Sequence, residues 1–291
     1  MTQFAPLRAR AEDEARGFPP LLARAEQLAG AVLLGEHGRR RAGLGDDFWQ
    51  YRSVQPGDSR RMIDWRRSAR SDAQYVRERE WQIAQSVMLW VDQAASMRFS
   101  SAKDLPQKSD RARLLALAIA ILLVRGGECV GLTGNSLLPQ RGEAQIPRLA
   151  SLLMADDAVD FAKPEARGVR PHSRALFLSD FLADPAPIHA ALGKAADRGV
   201  QGVLLQILDP SEESFPFQGR IVFESIGGTL QHETNKAGGL RQRYLDRLAA
   251  HKAELDALCN ATGWRFHCHH TSDSAQSALL WLFQALGGGH A

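Results

Sequence analysis

The chain has 291 residues, a length that fits one large domain with an extension or two small domains. Its hydrophobic fraction of 44% is enough to bury a sizeable core, and its formal net charge of +3 does not by itself indicate any partner. The cysteines are Cys129, Cys259 and Cys268, and their spacing is not that of a metal site. They indicate free thiols in a reducing compartment.

The first residues and the most apolar stretch indicate neither a secretion signal nor a membrane span. Residues 1–14 lack the apolar core of a signal peptide, and Leu114 to Val124 is too short to cross a bilayer. We therefore expect a cytoplasmic protein without a membrane span. After Pro19 and Pro20, apolar residues recur at helical spacing up to Leu33, which predicts a helix with one apolar stripe.

Residues 39–79 are rich in arginine, contain no lysine and carry acidic residues between the arginines. Two interpretations stay open, because a guanidinium pairs both with neighbouring carboxylates and with an acidic or phosphate-bearing partner. The near balance of charges argues against a nucleic-acid groove, where one sign should dominate. Turn residues and aromatic anchors predict a small β-containing subdomain here. We expect it to form, with the preceding helix, a domain of residues 1–85, followed by a second domain of residues 86–291.

From residue 86 onward, strand and helix signals alternate. This alternation predicts an α/β domain with a mostly parallel sheet and helices on both faces. The predicted strands are Val87–Val91, Cys129–Thr133, Leu137–Pro139, Ala175–Asp180, Gly202–Leu208, Arg220–Ser225 and Phe266–His270. The helix predicted at residues 110–125 is apolar on nearly all sides, so it should lie deep against the sheet.

Two of the predicted central strands end in an aspartate, Asp92 and Asp180. Ligands of open α/β sheets bind outside the carboxyl ends of the strands, so both carboxylates and the nearby Ser96 should lie at one edge. Oxygen ligands of this kind suit Mg²⁺. If a metal binds here, we expect its ligands to be Asp92, Ser96 and Asp180, so the expected cofactor is a weakly bound Mg²⁺ or none at all. The alternative is that Asp92 and Asp180 accept hydrogen bonds from the amides of the neighbouring loops and have only a structural role.

The segment His267-Cys268-His269-His270 contains residue types that bind zinc. Alternate side chains of a strand point to opposite faces, so no three of these residues converge locally, and we interpret the segment as structural. The sequence also has no Gly-x-Ser-x-Gly elbow, no Walker A loop and no Cys-x-x-Cys pair. We therefore expect no catalytic residues.

The residues Asp92, Ala94 and Ser96 resemble the Asp-x-Ser-x-Ser metal-ion-dependent adhesion site of von Willebrand factor type A domains. Ala94 stands where that motif has its middle serine. No threonine occurs at Gly142 to Gln145, where the resemblance would place a further ligand. The resemblance implies a von Willebrand A-like, Rossmann-type fold with a degenerate site, in which waters replace two hydroxyl ligands.

The upstream segment carries a second and more specific resemblance. Its residues Tyr51-Arg52, Gln55-Pro56-Gly57-Asp58, Arg61-Met62-Ile63-Asp64-Trp65 and Ser68-Ala69-Arg70 are similar to a motif of the domain of unknown function 58 family, whose members carry a von Willebrand A-like domain. The residues expected to bind a partner or to stabilise the subdomain are Arg52, Pro56, Gly57, Asp58, Arg61, Asp64, Trp65 and Arg70. Among them, we expect Trp65 to be a buried anchor and Arg61 to pair with Asp64.

This resemblance implies a non-enzymatic protein-interaction module that works with a MoxR-type AAA+ ATPase in assembly or chaperone-like remodelling. Two other functions stay open. A Mg²⁺-dependent hydrolase or phosphate-handling enzyme would use Asp92 and Asp180. A nucleic-acid-binding protein would use the arginine-rich segment.

Overall fold

The structure is a computed structural model that describes residues 21–32, 48–54, 59, 63–70, 73–79, 85–134, 137–155, 157, 159–164, 168–228 and 231–287. The chain forms two compact units, one of residues 39–84 and the other of residues 1–38 and 85–291. The N-terminal helix α1, residues 21–32, buries Ala25, Ala29 and Val32 in the core of the larger unit. This differs from the predicted domain of residues 1–85, because the apolar stripe of α1 packs on the sheet unit.

In the described part of the smaller unit, the strands β1 (Phe48–Ser53) and β2 (Tyr75–Arg79) form an antiparallel pair. Between them lies the single-turn helix α2 (Trp65–Ser68). Asp64 caps this helix, since its Oδ1 accepts a hydrogen bond from the Arg67 amide at 3.1 Å. The Ser68 hydroxyl donates to the Asp64 carbonyl at 2.8 Å and accepts from the Tyr75 amide at 3.0 Å, which ties α2 to the start of β2.

The larger unit is built on a five-stranded sheet in the order β4-β3-β5-β6-β9, and every neighbouring pair in it is parallel. Its strands are β3 (Ser86–Val91), β4 (Cys129–Leu132), β5 (Arg174–Ser179), β6 (Gln201–Leu208) and β9 (Arg265–His270). The prediction of a mostly parallel sheet flanked by helices is therefore confirmed. The cause is the run of apolar residues in the central strands, which is typical of strands covered on both faces.

Helices cover both faces of this sheet. The described elements between and after the strands are the 3₁₀-helix Ala95–Arg98, α3 (Lys108–Arg125), α4 (Gln145–Leu153), α5 (Ala186–Ala196), α6 (Pro210–Ser214), α7 (Ala237–Thr262) and α8 (Ala275–Gly287). Leu176 and its neighbours on one face share a core with α1, α3, α4 and α8. Phe177 on the opposite face packs with α5 and α7. Each such side chain, when fully buried, contributes about 1.5–3 kcal/mol to folding.

Helix α3 is buried along its length except at Asp110 and Arg125, in agreement with its predicted deep position. The predicted short strand Leu137–Pro139 is wrong, because these residues form no strand and only an isolated bridge joins Val130 to Gln140. Pro139 has no amide hydrogen for a ladder. The predicted strand near Arg220 exists as β7 (Ile221–Glu224), which pairs with β8 (Gln231–Thr234) in a separate two-stranded sheet.

Candidate functional site

A polar residue follows the last residue of every strand in the five-stranded sheet. In the spatial order of the strands, these residues are Thr133, Asp92, Asp180, Asp209 and Thr271. All of them are buried, with at most 5% of their surface exposed. Parallel strands bring their carboxyl ends to the same edge of a sheet, which is where ligands of open α/β sheets bind. We call this row the strand-end edge and treat it as the candidate site.

Asp92 has partners on both of its carboxylate oxygens. Oδ1 accepts a hydrogen bond from the Ala94 amide at 2.8 Å, and Oδ2 accepts one from the Ser179 hydroxyl at 2.6 Å. The pKa of Asp92 is raised to about 6, chiefly by burial and to a smaller extent by the nearby charge of Asp180, although both hydrogen bonds and the Lys108 charge act in the opposite direction. The carboxylate therefore stabilises the loop after β3 while its own ionisation is disfavoured.

The centre of the strand-end edge is a buried ammonium group. Lys108, the first residue of α3, is 1% exposed, and its Nζ lies 2.8 Å from Asp180 Oδ2 and 2.6 Å from Glu212 Oε1. Burial alone would lower the pKa of Lys108, but the two carboxylates raise it above its ordinary value, so the amine stays charged at neutral pH. Burial raises the pKa of Glu212, and the Lys108 charge opposes that rise.

Asp209 and Glu212 close the start of helix α6 as a reciprocal capping box. Asp209 accepts from the Ser211 amide at 2.8 Å, and Glu212 accepts from the Asp209 amide at 2.8 Å. Asp209 also accepts from the Ser101 amide at 2.9 Å. Burial would raise the pKa of Asp209, but the hydroxyl and amide donors of Ser101 and Ser211 bring it below its ordinary value. Glu212 is thus held by the backbone on one oxygen and by Lys108 on the other.

A second cationic side chain from the first turn of α3 reaches the outer end of the edge. Arg111 donates to the carbonyl oxygens of Thr271 and Asp273, each at 2.8 Å, and lies 3.1 Å from His269 Nε2. Burial, followed by the charge of Arg111, lowers the pKa of His269 to about 4, so this ring is neutral at physiological pH. Lys108 and Arg111 together tie the start of α3 to the loops that follow the strands.

The structure brings together two of the three predicted metal ligands. Asp92 and Asp180 end the neighbouring strands β3 and β5, while Ser96 lies in the following 3₁₀-helix with its buried hydroxyl unpartnered among the described residues. Asp180 Oδ1 accepts from the Leu182 amide at 3.1 Å, and its other oxygen faces the Lys108 ammonium. The carboxylate oxygens are thus bound by protein donors, and a fixed positive charge adjoins them. This arrangement does not fit a Mg²⁺ site.

Of the predicted motif residues in the smaller unit, Pro56, Gly57, Asp58 and Arg61 lie outside the described residues. Arg52 lies in β1 opposite Val76, and Arg70 is exposed just after α2. Asp64 is the cap of α2.

The expectation that Trp65 is a buried anchor is wrong. Trp65 is 55% exposed, and no residue of α2 is buried. The physical reason is that the capping and backbone bonds of Asp64 and Ser68 hold this single turn, so the indole is not needed to hold it. The tryptophan is available at the surface of the smaller unit.

Sequence reasoning missed a cluster beside the strand-end edge. Cys268 and His270 share one face of β9, as the alternation predicts, but Glu213 of helix α6 adds a third ligand type to them. Lys252 of α7 pairs with Glu213 in the same place. The sequence did contain a signal for this cluster, because Asp209-Pro210 after a strand is typical of the start of a helix. Acidic residues are favourable in the first turn of a helix, so this signal predicts acidic side chains close to the end of that strand.

The fold and the edge define a class: an α/β protein with a mostly parallel five-stranded sheet, flanking helices and buried polar groups at its strand ends. The chain belongs to the family described as "Protein of unknown function DUF58", whose model matches residues 50–254. Relatives include uncharacterized proteins of Mycobacterium tuberculosis (Rv1480) and Mycobacterium bovis (Mb1516). Each is 29% identical over 253 residues, which cover 82% of this chain and 78% of the relative.

The solved structures that match this chain do so with low TM-scores. The conserved hypothetical protein BatB of Bacteroides thetaiotaomicron has a TM-score of 0.39 at 14% identity and covers 71% of this chain and 100% of its own. An aerotolerance-related membrane protein of Bacteroides fragilis has a TM-score of 0.40 at 17% identity, with 70% and 100% covered. An uncharacterized membrane-spanning protein of Vibrio fischeri has a TM-score of 0.20 at 17% identity, with 67% and 94% covered.

The expected cytoplasmic location is contradicted by the descriptions of two of these structures, a membrane protein and a membrane-spanning protein, and we withdraw it. Scores this low do not place the present chain in a membrane either. Among the described residues, the helices include none with the length and apolar character to cross a bilayer.

Proposed function

We propose that the protein is a non-enzymatic interaction module with a von Willebrand A-like sheet domain, and that its partner is a MoxR-type AAA+ ATPase in assembly or chaperone-like remodelling. The observation that carries the interaction role is the exposed indole of Trp65. The choice of partner comes from the family resemblance of the motif around this residue. The von Willebrand A-like assignment draws support from the parallel sheet and from Asp92 at the end of β3.

The surroundings of Trp65 support a protein partner. Arg66 and Arg67 follow it in α2 and are also exposed, and the Arg67 guanidinium lies 5.4 Å from the centre of the Tyr75 ring. Tryptophan and arginine are enriched among the residues that dominate binding energy in protein interfaces. An apolar indole beside guanidinium groups favours a partner surface with an apolar pocket and acidic residues at its rim.

The strand-end edge supports a binding role over a catalytic one. Asp92, Asp180 and Asp209 each accept hydrogen bonds on both carboxylate oxygens. Lys108 places a positive charge against Asp180 and Glu212, so we infer that the edge works without a bound Mg²⁺. This fixed internal cation stabilises the loops that a partner would contact, and it holds Asp180 and Glu212 in ion pairs.

The test is a binding assay between the full chain and a purified MoxR-type AAA+ ATPase from the same organism, with ADP and with a slowly hydrolysed ATP analogue. We expect the parent protein to bind in one nucleotide state, and Trp65→Ala to bind at least about tenfold more weakly, as for interface residues with large contributions. Because Trp65 is exposed, its removal should leave the thermal unfolding curve unchanged.

Leu138→Ala is the matched control, since Leu138 is a 59% exposed apolar residue in the larger unit. This variant should bind like the parent. Equal binding by the parent and Trp65→Ala would remove α2 from the interface, and no binding in any nucleotide state would reject the proposed partner.

A further inference from the structure

Three different metal-ligand types converge beside the end of strand β9. Cys268 and His270 come from β9, and Glu213 comes from helix α6. One ligand atom of each, the thiol sulfur, an imidazole nitrogen and a carboxylate oxygen, lies within 4.8 Å of the other two. His270 Nε2 is 3.0 Å from Glu213 Oε2. All three residues are partly exposed, so ions in solution can reach them.

The orientation of His270 suits metal binding. Its Nδ1 lies 3.5 Å from Asp273 Oδ2, while Nε2 points toward the cluster. A carboxylate on the remote ring nitrogen is the usual support for a metal-binding histidine, because it fixes the ring and makes the other nitrogen a better donor. The cluster therefore has a ligand set and a group that orients one of its ligands.

Sulfur, nitrogen and oxygen ligands together favour Zn²⁺ over Mg²⁺ or Ca²⁺, which prefer oxygen alone. Zinc bonds of about 2.0–2.3 Å in a tetrahedral site place ligand atoms roughly 3.5 Å apart. The three groups must therefore move together by about 1 Å, which side-chain rotation on an exposed helix end allows. Three protein ligands leave the fourth position for water.

The cluster is occupied by an ammonium group in this structure. Lys252 of α7 pairs with Glu213 Oε2. Burial raises the pKa of the Cys268 thiol, and the charge of Lys252 opposes that rise. Its side chain is 19% exposed and that of Glu213 is 43% exposed, so the ammonium can turn into water with its charge kept.

We propose that Glu213, Cys268 and His270 form a Zn²⁺ site in which the metal exchanges with the ammonium of Lys252. Binding forms Zn–S, Zn–N and Zn–O bonds and releases the thiol proton to solvent, while Lys252 stays protonated and leaves Glu213. No electron is transferred. The site is separate from the exposed indole proposed as the interaction surface, so either proposal can fail without the other.

The test is a Zn²⁺ titration of the reduced, chelator-treated full chain against a chromophoric zinc indicator. We expect one Zn²⁺ per chain for the parent, and at least about tenfold weaker binding for Cys268→Ser, His270→Ala and Glu213→Gln. Lys252→Ala should bind at least about tenfold more tightly, because the competing ammonium is gone. Substitution by Co²⁺ should give a thiolate-to-cobalt charge-transfer band that Cys268→Ser abolishes.

Two matched controls come from the same chain. Cys129→Ser removes a thiol of another strand, and His267→Ala removes a ring on the opposite face of β9, where it stacks on Trp281. Both should bind Zn²⁺ like the parent. The proposal is overturned if neither the parent nor Lys252→Ala binds stoichiometric Zn²⁺, or if binding survives Cys268→Ser. Unfolding curves recorded for every variant separate loss of a ligand from loss of the fold.

Discussion

Helix α6 contributes neighbouring glutamates to two ionic clusters that look alike in composition. Glu212 pairs with Lys108, and Glu213 pairs with Lys252. The Lys108 side chain is 2% exposed and that of Glu212 is 16% exposed, whereas the corresponding values for Lys252 and Glu213 are 19% and 43%. The same pair of residue types thus occurs once inside the protein and once at its surface.

The difference decides what each cation can do. A buried ammonium cannot leave its carboxylates without exposing uncompensated charge to a medium of low polarity, so Lys108 is a permanent part of the strand-end edge. A partly exposed ammonium exchanges one solvated partner for another at little cost, so Lys252 can give way to a metal ion. Burial therefore separates a fixed internal cation from an exchangeable one.

Removing each lysine gives the largest expected contrast between the two clusters. Lys108→Ala leaves the buried carboxylates of Asp180 and Glu212 without their cation, and we expect a loss of about 3–5 kcal/mol in the free energy of unfolding. Lys252→Ala removes a partly solvated pair and should cost about 1 kcal/mol or less. Urea unfolding at pH 7.5 measures both.

A double variant tests whether stranded charge causes the loss of stability in Lys108→Ala. The variant with Lys108→Ala and Asp180→Asn together should lose less stability than Lys108→Ala alone, because one stranded charge has been removed. Similar losses for the two single lysine variants would mean that burial does not separate the clusters as we infer.

A smaller effect is expected from the charge of Asp92. The pKa of Asp92 rises on folding from 3.8 to about 6. Such an acid lowers the stability of the folded protein as the pH rises from 3.8 to about 6, and the loss of stability is largest at pH values above that range. Asp92→Asn removes that cost while keeping an oxygen for the Ala94 amide. Its stability relative to the parent should therefore increase by about 1 kcal/mol between pH 5 and pH 8.

Chemical denaturation of both proteins at the two pH values measures this difference. Asp197→Asn, the same substitution at an exposed position, is the control. A difference between Asp92→Asn and the parent that stays constant from pH 5 to pH 8 would show that the Asp92 carboxylate folds with its ordinary affinity for protons.

The sheet could be predicted because its strands are short apolar runs with abrupt polar ends. Val87 to Val91, followed by Asp92, is the clearest case, and Ala175 to Ser179 followed by Asp180 repeats it. Helix α3 could be predicted as buried because its residues are apolar on all sides. In each case the local pattern and the tertiary environment favour the same structure.

The candidate site could be predicted only in part, because its centre depends on contacts between distant parts of the chain. Asp92 and Asp180 follow from strand ends, but Lys108 is 72 residues from Asp180 and 104 residues from Glu212 in sequence. A lysine before an apolar helix looks like an ordinary solvated residue. The prediction for Trp65 failed in the opposite way, because it placed an exposed residue in the interior. An aromatic residue among polar ones suggested burial, but Trp65 lies exposed on the capped turn α2.

The smallest expected effect is that of Mg²⁺ on the strand-end edge. If Lys108 supplies the charge, Mg²⁺ should not change the unfolding free energy of the parent at constant ionic strength. In Lys108→Ala, the carboxylates of Asp92, Asp180 and Glu212 lose that competitor, and a cation can replace it. A ligand present at its dissociation constant stabilises a protein by about 0.4 kcal/mol, so millimolar Mg²⁺ should increase the unfolding free energy of Lys108→Ala by roughly that amount or more.

Equal stabilisation of the parent and Lys108→Ala by Mg²⁺ would mean that the predicted Asp92, Ser96 and Asp180 site binds metal with Lys108 in place. No gain in either would make Lys108 an ion-pair partner alone, at an edge that does not accept a free cation.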